Sequence, residues 1–82
     1  MKLSDEQRDE IKTEFIPYNG KNHTKAQRRI LKRYGVSYRE DRGKAHFLYE
    51  GRKVGVPVTK THGRASQNVV SNLIKLLEDS WN

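Results

Sequence analysis

Apolar positions fall into helical spacing at both ends of the chain and into strand alternation in the middle. Ser4 and Gln7 form a capping-box pattern with Asp5 and Glu6 in the first turn, which predicts a short helix over 5–15. Its apolar side is thin, essentially Ile11 and Phe15, so it needs a surface to dock on and reads as an appendage rather than as part of the core. Residues 16–22, with Pro17, Asn19 and Gly20, form a turn-rich connector. Thr24 and Gln27 repeat the capping pattern, and Ala26, Ile30, Leu31 and Tyr34 recur at helical spacing until Gly35 stops them.

Strands follow over 36–40, 45–50 and 53–58, separated by Asp41-Arg42-Gly43 and by a turn at Gly51. In the second strand Phe47 and Tyr49 share one face and His46 and Leu48 the other, so His46 is on the open face if the aromatic pair faces the helices. In the third strand Val54, Val56 and Val58 point one way. Pro57 has no ladder donor, which puts this strand at a sheet edge or Pro57 at its end. Ser66 is the expected N-cap of a last helix whose apolar face is Val69, Val70, Leu73, Ile74 and Leu77, extended one turn by Trp81. The expected fold class is therefore α+β. A two-layer αβββα core with a three-stranded antiparallel sheet spans 23–82, preceded by a helical extension over 1–22, all in one domain.

Composition sharpens this picture. The 82 residues are 33% hydrophobic and 33% charged, which allows one modest core that must be placed well. There is no cysteine, and His23, His46 and His62 lack zinc-cluster spacing, so neither a disulfide framework nor a metal or cofactor site is expected. No apolar run approaches the roughly 20 residues of a membrane span, and the acidic start Met1-Lys2-Leu3-Ser4-Asp5 is unlike a secretory or transit signal. A soluble cytoplasmic protein is the expectation.

The net charge of +7 is concentrated. Residues 21–64 carry thirteen Lys/Arg against three Asp/Glu, while both ends are slightly acidic. Such a block suits a polyphosphate partner, RNA or alternatively DNA. An anionic membrane also attracts basic protein, but the basic residues here are spread over a helix, turns and loops rather than beside one strong apolar face, so no membrane partner is expected. Lys25, Arg28 and Arg29 lie with Lys32 and Arg33 on the polar side of the second helix, a stripe that solvation explains as well as binding does.

The stretch Gly43-Lys44-Ala45-His46-Phe47-Leu48-Tyr49 delivers a histidine at the start of a strand, and the next strand ends beside a loop with Lys60, His62 and Arg64. Such an arrangement can bring a proton acceptor and a phosphate together. His62, in Thr-His-Gly, reads as a turn residue or phosphate contact, and His23, just before the Thr24 cap, as structural. Tyr38, Phe47, Tyr49 and Trp81 are able to stack on bases, but in so small a domain at least three of them are expected in the core.

From Thr24 onward, the order Gly43, His46, Gly51-Arg52-Lys53, Val56-Pro57, His62 and a closing helix resembles the HicA family of small ribonuclease toxins, which share the fold of double-stranded RNA-binding domains. Residues 1–22 have no counterpart in the family pattern and read as partner docking or as a cover for the site. Ala45 stands where many members have a polar residue or a second histidine. The resemblance implies a metal-independent endoribonuclease acting on messenger RNA and held inactive by a cognate antitoxin protein. It makes His46 the catalytic residue.

In that chemistry a neutral imidazole takes the proton of a ribose 2′-hydroxyl, the oxygen attacks the adjacent phosphorus, and cationic side chains stabilise the phosphoryl oxygens. Lys44, Arg52, Lys60 and Arg64 are the phosphate candidates, and His62 is a possible second acid–base group. The competing expectation is a binding module without chemistry, such as a phage or mobile-element regulator with the same fold. A double-stranded RNA-binding domain usually clusters lysines at the start of its last helix, and Gly63-Arg64-Ala65-Ser66-Gln67-Asn68 has one basic residue there. A third expectation is an inhibitor whose basic face docks on an acidic protein.

Overall fold

The protein is described here by a computed structural model over residues 2–79, so Trp81, expected to extend the last helix, lies outside the described residues. The elements run α1 (Asp5–Phe15), α2 (Lys25–Tyr34), β1 (Ser37–Asp41), β2 (Lys44–Tyr49), β3 (Arg52–Val56) and α3 (Arg64–Asp79). This is the expected α+β fold, an antiparallel β1-β2-β3 meander with helices before and after it.

Local signals set most element ends. Both capping boxes form: the Ser4 hydroxyl accepts from the Gln7 N–H and the Thr24 hydroxyl from the Gln27 N–H, each at 3.1 Å. Gly35, at φ 75°, ends α2 in the left-handed conformation, and the Val36 N–H returns to the Leu31 carbonyl at 2.8 Å. Arg42-Gly43 and Glu50-Gly51 all have positive φ, the signature of two-residue type I′ hairpin turns. These turns fix the register in which Arg39, His46 and Gly55 line up across the sheet. Pro57 follows β3, which is an edge strand.

The core lies between the sheet and the helices. Phe47 is fully buried at the centre of an aromatic cluster, with Phe15 at 6.4 Å, Tyr18 at 5.9 Å, His23 at 6.3 Å and Tyr38 at 6.3 Å between ring centroids. Helix α3 covers it with Val69, Val70, Leu73, Leu76 and Leu77, while Ile74 is only partly buried. His23 is structural, as expected. Its Nε2 is 2.8 Å from the Tyr18 hydroxyl, and its ring meets Tyr38 edge-on at 4.6 Å.

Two expectations are overturned. The first helix is no appendage: Ile11 and Phe15 are completely buried, α1 packs on both α3 and α2, and Arg8 donates to the Glu78 carboxylate at 2.6 Å. A stripe of two apolar residues suffices because Phe15 inserts into the aromatic cluster that the following connector completes with Tyr18. Ser66 is not an N-cap either. Helix α3 begins at Arg64, with the Gln67 N–H donating to the Gly63 carbonyl at 3.0 Å. The Ser66 side chain is fully buried, accepting the Tyr18 N–H at 3.1 Å and sharing a 2.8 Å hydrogen bond with the Thr61 hydroxyl.

Candidate nucleic-acid interface

Strand alternation divides the sheet into two chemistries. Ala45 and Phe47 are buried beneath the helices, so His46 between them is turned to the open face. In β1 its partner is Arg39 and in β3 it is Gly55. Directly opposed side chains in a sheet have Cβ atoms roughly 4.5–5.5 Å apart, and diagonal neighbours remain within reach of a long side chain. The alternation therefore gathers Arg39, Lys44 and Lys53 around the half-buried His46, all three cations exposed. Asp41, opposite Lys44, is the acidic residue on this face.

Gly55 leaves open space above its Cα, where an added Cβ would meet nothing within 4 Å. A shallow groove of about 470 Å³ runs here between the start of β2 and the segment after β3, lined by residues that include Lys44, His46, Gly55, Pro57 and Thr59. Lys44 lines this groove beside the imidazole, while Arg39 and Lys53 share the sheet face outside its lining. Tyr38, Phe47 and Tyr49 share the helix-facing side, so these aromatics serve the core and offer no base-stacking platform. The Tyr38 hydroxyl is buried with no hydrogen-bond partner among the described residues, and burial, with Glu40 nearby, raises its pKa.

The remaining candidate residues are spread more widely than one site. Lys60 and His62 are exposed on the loop after β3, and neither lines the His46 groove. Arg64 opens α3, also exposed. Arg52 sits at the far end of β3, paired with Tyr49 and thus on the helix-facing alternation. Lys25, Arg28 and Arg29 are exposed on α2, in the helical layer rather than on the open sheet face, and the Arg28 guanidinium is engaged by the His23 carbonyl at 3.3 Å.

Arg39 and Lys53 are the open-face cations that sequence reasoning missed. Their signal is the pairing register: once His46 is assigned to the open face, the residues opposite and diagonal to it share that face. Among the described residues no helix is long and apolar enough to cross a membrane, and no group of three or more His, Cys, Asp or Glu side chains gathers as a metal site. No protein-family model, curated protein or solved structure matches the chain.

Proposed function

We propose that the protein is a HicA-like, metal-independent endoribonuclease that holds RNA on the open face of its sheet and cleaves it with His46. One observation carries this reading: a half-buried histidine borders a groove cleared by Gly55, directly opposite Arg39 and beside Lys44 and Lys53. A neutral imidazole takes the 2′-hydroxyl proton while O2′ bonds to phosphorus. The P–O5′ bond breaks, the 5′-oxygen leaves with a proton from imidazolium or water, and a 2′,3′-cyclic phosphate remains. Arg39, Lys44 and Lys53 offset the charge that builds on the non-bridging oxygens. Messenger RNA in the cytoplasm is the natural substrate, and a protein antitoxin covering this face would silence it.

The test is incubation of labelled single-stranded RNA with the native protein and with His46→Ala, in EDTA. Fragments ending in 2′,3′-cyclic phosphate from the native protein alone are expected, with RNA affinity nearly equal for the two. Equal cleavage by the variant removes His46 from the chemistry. A second reading, a nucleic-acid-binding module without catalysis, is favoured by one feature: among the described residues, the lining of the His46 groove has no second imidazole or carboxylate to act as acid. Intact RNA or DNA with a salt-sensitive mobility shift is its expected outcome.

A further inference from the structure

The connector between α1 and α2 is fastened to the loop that follows β3. The Lys21 N–H donates to the Val58 carbonyl at 3.0 Å, and the Thr61 N–H donates to the Tyr18 carbonyl at 2.8 Å. Gly20, at φ 63°, passes so close that an added Cβ would lie 2.4 Å from the Val58 oxygen. Only glycine permits this approach, and it sets Lys21 over the loop.

Between the two segments lies a second concavity of about 350 Å³, lined by Asn19, Lys21, Asn22, Val58, Thr59 and Lys60. Val58 and Thr59 also line the His46 groove, so the two depressions meet along that pair of residues. Among the described residues no carboxylate lines the second one. Two exposed lysines are thus brought to one depression by backbone hydrogen bonds, with two amide side chains and, among the described residues, no acidic counterpart. Like charges held this way repel each other until an anion sits between them.

We infer that the nucleic-acid path continues from the His46 groove over Val58–Thr59 into this concavity, where Lys21 and Lys60 bind a neighbouring backbone phosphate. The inference rests on the nucleic-acid reading above and extends it to the N-terminal segment. That segment then contributes to binding instead of covering the site. Asn19 and Asn22 supply donors for the same phosphate or its sugar.

The experiment measures affinity for a fluorescein-labelled single-stranded RNA by anisotropy across a series of salt concentrations. Native protein, Lys21→Gln, Lys21→Arg, Lys60→Gln and Arg39→Glu are compared. Loss of one phosphate contact on single-stranded nucleic acid lowers the slope of log K against log salt by about 0.7. Lys21→Gln and Lys60→Gln are each expected to show that decrease, and Lys21→Arg to keep the native slope, which separates charge from any effect on folding. If Arg39→Glu weakens binding while Lys21→Gln runs parallel to the native line, the second phosphate subsite is refuted and the sheet-face reading stands. If the native protein shows no salt-dependent binding to RNA, both fall together.

Discussion

Replacing Ser66 separates its place in the folded structure from the helix cap that its neighbourhood suggests. The hydroxyl is completely buried, takes the Tyr18 N–H at 3.1 Å and pairs with the Thr61 hydroxyl at 2.8 Å. In Ser66→Ala the Tyr18 N–H is left unsatisfied in a buried setting, at a cost of about 1–3 kcal/mol. Alanine's better helix propensity returns roughly 0.5 kcal/mol, so the net loss is about 1.5 kcal/mol. For a two-state domain of this size that lowers Tm by about 6–12 °C.

Ser66→Asp is the sharper variant. At an N-cap, Asp matches Ser and gains from the helix dipole. At a fully buried position inside the first turns of α3, it places a carboxylate where water cannot reach. The expected loss exceeds that of alanine at pH 7 and shrinks as acidification neutralises the carboxyl. Circular-dichroism melts of the three proteins at pH 7 and pH 5 decide the matter. A Ser66→Asp protein that melts within a few degrees of native at pH 7 would refute the buried network.

Phe15→Ala tests whether α1 belongs to the core: Phe15 is completely buried, and such a truncation costs about 3–5 kcal/mol. Removal of residues 1–22 should abolish cooperative unfolding, and a sharp melt from the 23–82 fragment would contradict the role assigned to α1. His23 predicts a pH dependence. Burial first, and then the Arg28 charge, lowers its pKa below the usual histidine value of 6.5. Between that lowered value and about pH 6.5 the unfolded chain binds more protons than the folded one, so stability is full above this window and declines as pH falls through it. Urea midpoints measured from pH 8 to pH 5 should show the decline, and His23→Phe should flatten it. An unchanged slope in that variant points to other groups.

Much of this was legible because its causes are local. A capping box needs only residues three apart, which is why Ser4 with Gln7 and Thr24 with Gln27 mark their helices correctly. Two-residue alternation in β2 put His46 on the face opposite Phe47 before any partner strand was known. What was hidden depends on contacts distant in sequence. The bond between Tyr18 and Ser66 joins residues 48 positions apart, and without it a serine near a helix start looks like a cap. Leu76 joins the buried face because α3 is packed from two sides, by the sheet and by α1, which widens the stripe beyond the one its own periodicity shows.

The candidate site divides in the same way. Sequence by itself determined the α+β class, the meander, the central excess of positive charge and the outward turn of His46, since composition and short-range periodicity carry all four. Tertiary structure alone decided which cations join that histidine. Hydrogen-bonded register brought in Arg39 and Lys53 and left Lys25, Arg28 and Arg29 in the other layer. It also decided that α1 and the connector belong to the core, because burying Ile11, Phe15 and Tyr18 requires surfaces from α3 and the sheet that no local segment contains.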